Sequence, residues 1–110
     1  MRALVLSFGF STLLLLVPVG AVRADDVVIT FKDHKVSPAE VKVPSRKRVV
    51  LTIVNDDTTP EEFDSKDLKV EKVVPGKSKG TVRIGPLEPG RYNFVGEFHE
   101  STAKGVVIAE

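Results

Sequence analysis

From Val27 onward, apolar and polar side chains alternate along most of the chain. A period of two places successive side chains on opposite faces of an extended strand, whereas an amphipathic helix repeats every 3.6 residues. Turn-forming residues interrupt the alternation at Asn55 to Pro60, at Pro75-Gly76 and at Pro86 to Gly90. The pattern therefore predicts short strands separated by turns, with at most one helical turn, at Ser65 to Leu68.

The predicted strands share this alternation. They run from Val27 to Phe31, Val36 to Val43, Arg46 to Val54, Glu61 to Asp64, Leu68 to Val74, Gly80 to Ile84, Arg91 to Val95 and Gly105 to Ala109. The third of them is the most apolar, and we expect it at the centre of the fold. Seven to eight short strands at this spacing predict an all-β fold, a Greek-key sandwich.

The N-terminal region differs from the rest of the chain. Arg2 precedes an almost wholly apolar stretch, Ala3 to Val17, and Val22-Arg23-Ala24 places small or compact residues where a signal peptidase cleaves. The stretch is shorter than the about 20 apolar residues that span a bilayer. We therefore expect residues 1–24 to be a cleaved signal peptide, rather than a retained membrane anchor, and residues 25–110 to be one exported domain.

Cleavage would change the charge of the protein. The full sequence has 16 basic and 15 acidic residues; Arg2 and Arg23 leave with the signal, so 14 basic residues remain against 15 acidic ones. This near-balance argues against nucleic-acid binding, which needs a basic surface.

The sequence has no cysteine. This excludes disulfides, iron–sulfur clusters, cysteine-ligated zinc and a copper–thiolate bond. So small a domain must then be stabilised by packing, alone or together with a bound ion.

The segment Pro89 to His99 (P-G-R-Y-N-F-V-G-E-F-H) carries the most specific pattern in the chain. Alternation places Tyr92, Phe94 and Gly96 on one face of a strand, and His99 follows three residues later. The pattern resembles the cupredoxin family, whose members carry G-x-Y-x-F-x-C-x-x-H-x4-M before their last strand.

The resemblance implies a blue-copper sandwich that has lost the blue-copper ligands. His99 keeps its place, whereas Gly96 stands at the cysteine position and Lys104 at the methionine position. Glu61 stands where the family has its other histidine. A His₂Cys copper site, with its intense colour, cannot form from this set.

A closer resemblance is to the small periplasmic cupredoxin-like proteins that accompany bacterial ferrous-iron uptake systems, and to the EfeO-type cupredoxin domain. It rests on the segments P-E-E-F-D-S, K-V-E-K-V-V-P-G-K-S-K and I-G-P-L-E-P-G-R-Y-N-F-V-G-E-F-H-E-S-T-A-K-G. It implies a location in the periplasm and a role in binding or oxidising Fe²⁺, with or without copper. It also implies a periplasmic iron-binding protein and an iron permease as partners.

The family topology would bring several carboxylates and one or two imidazoles to the same end of the sandwich. The expected metal ligands, in order of weight, are Glu61, His99, Glu62 and Glu97, with Glu100 and His34 as second-tier candidates. Such a set suits Fe²⁺, Fe³⁺, Mn²⁺ or Zn²⁺ better than Cu(I), while Cu(II) remains open. The structural alternative is a group of solvated loop carboxylates with a surface histidine at position 34.

These residues, taken together with the resemblance, leave three functions open. The first is a periplasmic metal-binding accessory protein of iron uptake. The second is a metal-free interaction module that docks on a transport partner through lysines, namely Lys66, Lys69, Lys72, Lys77 and Lys79. The third is an oxidoreductase with a non-blue copper ion. The sequence has no H-E-x-x-H motif or Ser-His-Asp arrangement, and whether the protein is an enzyme stays open.

Overall fold

The computed structural model describes residues 27–110, which form two β-sheets packed face to face. The strands are β1 (Val27–Lys32), β2 (Lys35–Ser37), β3 (Glu40–Val43), β4 (Val49–Asn55), β5 (Glu61–Ser65), β6 (Val70–Val74), β7 (Ser78–Ile84), β8 (Gly90–Gly96) and β9 (Lys104–Ala109). One sheet has the strand order β2-β1-β4-β7, and the other has the order β3-β9-β8-β5-β6. The predicted all-β sandwich is confirmed.

The expected signal peptide, residues 1–24, and the first two residues of the expected mature domain lie outside the described residues. Within residues 27–110 no helix is long and apolar enough to cross a membrane. The only helical element in this part of the chain is one 3₁₀ turn, Glu97–His99, which follows β8. The turn predicted at Ser65 to Leu68 is a hydrogen-bonded turn at residues 66–69.

The predicted strand from Val36 to Val43 is divided in the structure, and this raises the number of strands to nine. Its first part, β2, pairs antiparallel with β1, whereas its second part, β3, pairs parallel with β9 in the other sheet. Pro38 lies between the two parts, and proline has no N–H with which to continue a ladder. The chain therefore passes from one sheet to the other at this point.

The central strand β4 has the alternation of a half-buried strand. Val49, Leu51 and Ile53 are buried, while the residues between them face outward. The strand pairs in parallel with β1 and antiparallel with β7, which confirms its predicted central position within its sheet.

Two phenylalanines join the strands that carry the candidate site. Phe63 on β5 and Phe94 on β8 are buried, and their ring centroids lie 4.8 Å apart. Phe63 is in register with Gly96, the last residue of β8. This packing fixes the start of β5, at Glu61, beside the end of β8.

Candidate metal centre

Glu61 is a buried carboxylate at the start of β5, with 2% of its surface exposed. The alternation along β5 turns its side chain inward. Its Oε1 accepts hydrogen bonds from the backbone N–H of Glu62 (3.0 Å) and of Phe98 (2.9 Å), and its Oε2 lies 2.6 Å from Nδ1 of His99. Both carboxylate oxygens are thus engaged within the protein, which offsets the cost of burying a charge.

Gly96 leaves the space that this carboxylate fills. A Cβ atom at position 96 would lie 2.8 Å from Cδ of Glu61, 2.9 Å from Cβ of Ala103 and 2.9 Å from Cε1 of Phe31. Positions 96 and 61 are those at which the cupredoxin pattern has its cysteine and its other histidine. The two substitutions are therefore complementary: the larger side chain at one position needs the absence of a side chain at the other.

We expect Gly96→Ala to lower the free energy of unfolding by about 1–3 kcal/mol, because overpacking forces the surrounding side chains to move. Gly90→Ala is the matched control, since a Cβ there would meet its nearest neighbour at 3.8 Å. At such an open position the substitution should leave stability unchanged or raise it by about 0.4–1 kcal/mol. Urea denaturation measures the free energy of unfolding of both variants. Equal losses of stability would show that a Cβ at position 96 can be accommodated as easily as one at position 90.

His99 closes the 3₁₀ turn after β8, and 26% of its side chain is exposed. Its backbone carbonyl accepts hydrogen bonds from the N–H of Thr102 (3.1 Å) and Ala103 (2.8 Å), which fixes the loop that carries it. Nδ1 faces inward, towards Glu61. Among residues 27–110 no hydrogen bond engages Nε2, so this atom is the one that a metal ion could reach.

His34 lies directly over His99. The two imidazole rings are stacked, with centroids 3.6 Å apart and planes inclined by 9°. Asp33 and His34 form the two-residue turn between β1 and β2, with φ of 53° and 59°, as a turn in a tight hairpin requires. The carboxylate of Asp57 accepts the N–H of both turn residues, at 2.7 and 3.0 Å. Partial desolvation opposes ionisation, but these donors and the nearby imidazole charge lower the pKa of Asp57 overall.

The loop between β4 and β5 is held by Asn55, which is 1% exposed. Its Nδ2 donates to the carbonyl oxygens of Thr59 (2.8 Å) and Val74 (3.0 Å), and its Oδ1 accepts the N–H of Asp57 (3.0 Å). Asn55 thus positions the carboxylate that holds the His34 turn. Asp57 was not among the residues predicted from the sequence, because no local pattern indicates a contact with a turn 23 or 24 residues earlier.

A second group of carboxylates lies on the outer face of the five-stranded sheet. Glu62, Asp64 and Glu97 each place an oxygen within 4.8 Å of the others. Partial desolvation and then the negative charge of Glu97 raise the pKa of Glu62, and Glu71 adds to this. Partial desolvation and then the charge of Asp64 raise the pKa of Glu97. Asp64 was not among the ligands predicted from the sequence, although its position two residues after Glu62 on one strand places both side chains on the same face.

We expect Glu97→Gln to raise the melting temperature at about pH 7. A raised pKa means that the folded state binds the proton more tightly than the unfolded chain, so ionisation above that pKa opposes folding. The gain should shrink as the pH falls below 4.5, the ordinary value for glutamate, because the carboxyl is then protonated in both states. Calorimetry at about pH 7 and pH 4 tests this.

Glu88→Gln is the control, since it removes an exposed carboxylate that is paired with Arg46. It should not raise the melting temperature. A rise in Glu97→Gln that is the same at both pH values would contradict the explanation.

The six candidate ligands therefore fall into two groups. Glu61, His99 and His34 meet at the loop end of the sandwich, whereas Glu62 and Glu97 lie on the outer sheet face with Asp64. Glu100 belongs with the second group, since its charge contributes to the raised pKa of Glu97.

The methionine position of the family pattern does not face the site. Lys104 is exposed and in register with Val95, whose neighbours Phe94 and Gly96 point inward. The residue that does face Gly96 is Ala103, which is fully buried.

A family model for the cupredoxin-like domain matches residues 4–109. The chain belongs to the cupredoxin-like domain family. A relative, an uncharacterized protein of Rickettsia prowazekii (strain Madrid E), is 45% identical over 83 residues, which make up 76% of this chain and 66% of that protein. The cupredoxin-like chain thus spans just under two thirds of the length of this relative.

Several solved structures resemble the sandwich. Amicyanin from Paracoccus versutus is 21% identical with a TM-score of 0.60, over 81% of this chain and 85% of that one. The metal-binding domain of a Cu(I)-exporting P-type ATPase from Streptococcus pneumoniae D39, solved with Cu(I), is 14% identical with a TM-score of 0.69, over 82% and 91%. Auracyanin A, a blue copper protein from Chloroflexus aurantiacus, is 12% identical with a TM-score of 0.67, over 77% and 98%. These similarities confirm the expected cupredoxin fold, and the closer resemblance to iron-uptake proteins stays a prediction.

Proposed function

We propose that this chain is a periplasmic metal-binding accessory protein of Fe²⁺ uptake. The observation that carries the proposal is the Glu61–His99 pair, with 2.6 Å between Oε2 and Nδ1. It keeps one imidazole at the end of the sandwich where the pattern of copper-binding relatives has its ligands, and holds that imidazole with a buried carboxylate. A carboxylate that orients a histidine is the usual companion of a histidine metal ligand.

The donor atoms fall into the two groups already described. Nε2 of His99 offers an imidazole nitrogen at the loop end, whereas Glu62, Asp64 and Glu97 offer oxygens within 4.8 Å of one another on the outer sheet face. Imidazole nitrogen and carboxylate oxygen both suit Fe²⁺ or Zn²⁺, and also Cu²⁺, whereas Cu(I) prefers sulfur. The close carboxylates repel one another when ionised, and a cation would relieve that repulsion.

Transfer of the ion to other proteins is part of the same proposal. The partners are a periplasmic iron-binding protein and an iron permease, as the resemblance to uptake-system proteins implies. His99 is partly exposed and Glu97 is exposed, so these side chains are open to an incoming protein. Oxidation of Fe²⁺ by this chain would need a separate electron acceptor, because a chain without cysteine has no disulfide to take up the electron.

Isothermal titration of the purified protein with Fe²⁺ (under anaerobic conditions), Cu²⁺ and Zn²⁺ tests metal binding. We expect saturable binding of at least one ion, lost in His99→Ala and weakened in Glu62→Gln/Glu97→Gln. Glu40→Gln, an exposed carboxylate on β3, is the control and should bind as the wild type does. Unchanged affinity in both site variants would refute the assignment. A role in uptake predicts that growth of a deletion strain on limiting Fe²⁺ is restored by the wild-type gene and not by the His99→Ala gene.

A metal-free interaction module is the second candidate, and a specific observation favours it. The Glu61 carboxylate already accepts hydrogen bonds from two backbone N–H groups and contacts His99, so the buried part of the site is satisfied without an ion. This module would dock through lysines, of which Lys77 is engaged with Asp56 (3.8 Å). The melting temperature with and without added metal ion distinguishes the two functions. An ion at 100 times its dissociation constant stabilises the folded state by about 2.7 kcal/mol and so raises the melting temperature. A metal-free module predicts no change.

A further inference from the structure

The inward nitrogen of His99 lies against a carboxylate whose other oxygen already accepts two backbone N–H groups. Oε2 of Glu61 lies 2.6 Å from Nδ1, and an ionised carboxylate has no proton to donate. We propose that Glu61 is a positioning residue that fixes the proton of neutral His99 on Nδ1. Nε2 then carries the free lone pair and is the nitrogen that binds a metal ion.

The carboxylate cannot readily turn to change this arrangement. Its Oε1 receives the N–H groups of Glu62 and Phe98, and both donors belong to the backbone. Rotation of the carboxylate would leave these two donors without their acceptor in a site where Glu61 is 2% exposed, and each such loss costs about 1–3 kcal/mol. The direction of Oε2 is therefore set by the fold and not by His99.

The packing around Glu61 also favours a role in positioning His99 over direct binding of the ion by Glu61. To bind an ion through Oε2, Glu61 would have to give up His99. The space beside its Cδ is closed by Ala103 and Phe31, which leave no room even for a methyl group at Gly96. The location of the His99 proton on Nδ1 does not depend on a metal ion. Binding of an ion by Nε2, in contrast, rests on the proposed function.

Glu61→Gln tests the inference because it keeps the shape and reverses the hydrogen bond to His99. The glutamine oxygen must face the N–H groups of Glu62 and Phe98, since an NH₂ group there would oppose two donors. The NH₂ group then faces Nδ1, which must accept, and the proton of His99 moves to Nε2. The ¹⁵N shifts of the imidazole, measured at alkaline pH where histidine is neutral, distinguish a protonated from an unprotonated nitrogen.

We expect Nδ1 to be protonated in the wild type and Nε2 to be protonated in Glu61→Gln. Glu88→Gln, an exposed carboxylate in the turn before β8, is the control and should keep the wild-type shifts. A proton on Nε2 in the wild type would overturn the inference, and so would an unchanged tautomer in the folded variant. The wild-type spectrum alone locates the proton, so the test holds even if the variant does not fold.

Titration with Zn²⁺ tests the consequence for binding. Affinity should fall by about 10- to 100-fold in Glu61→Gln, as when other partners of metal-bound histidines are removed, and should be unchanged in Glu88→Gln. A changed tautomer with unchanged affinity would overturn the assignment of Nε2 as the ligand atom. A wild-type protein that has the expected tautomer but binds none of Fe²⁺, Cu²⁺ and Zn²⁺ would refute the proposed function and support the positioning role of Glu61.

Discussion

Glu61→Ala should lower the free energy of unfolding by about 3–5 kcal/mol, the usual cost of removing one partner of a buried charged pair. The substitution leaves three donors without an acceptor: the N–H groups of Glu62 and Phe98, and Nδ1 of His99. It also leaves a cavity between the side chains that enclose the carboxylate. Small domains are stable by only about 5–15 kcal/mol in total, so this one substitution should remove a large part of the stability.

Glu62→Ala is the matched control for this prediction. It removes the same side chain from the next position of the same strand, but there the side chain points outward and is half-buried. Its carboxyl has a raised pKa, so its loss should change stability little or increase it slightly at neutral pH. Urea denaturation with a common slope compares the two variants. Equal destabilisation would mean that the buried hydrogen bonds of Glu61 contribute little.

The alternation of residue types predicted which side chains share a face. It placed Tyr92 with Phe94 and Gly96, and the burial along β8 follows that prediction. The same alternation puts Glu61 and Phe63 on the buried face of β5. A two-residue period predicts which side chains are buried, because one face of each strand packs against the opposite sheet. The same rule, applied one residue further along β5, turns Glu62 away from Glu61, so alternation alone is enough to divide these two candidate ligands between opposite faces.

The contacts of His34 could not be predicted in this way. Its place over His99 depends on a turn held by Asp57, which is itself fixed by Asn55. These contacts join segments that are distant in the sequence and leave no periodic signal. The division of the segment after β1 into two strands has a similar origin, since the partner strand of each half is chosen by the tertiary fold and not by local preference.

Glu61→His combined with Gly96→Cys should convert the domain into a blue copper protein with intense visible absorption. The two positions and His99 converge on one point. Nδ1 of His99 lies 2.6 Å from the Glu61 carboxylate, and a Cβ at position 96 would lie 2.8 Å from its Cδ. The carboxylate thus occupies the space between the three positions, and replacing it by an imidazole opposite a thiolate provides the trigonal His₂Cys set of such sites.

Copper should compensate for the strain that the new side chain introduces. A Cβ at position 96 also lies 2.9 Å from both Ala103 and Phe31, so these side chains must shift. We therefore expect the double variant to be less stable than the wild type until the ion binds. Gly96→Cys alone should remain colourless with Cu²⁺ because the Glu61 carboxylate keeps the ion out, and Glu61→His alone should remain so because it lacks a thiolate. A folded double variant that binds copper without intense absorption would mean that the three positions do not converge, and that the loss of the copper site involved more of the fold than its ligands.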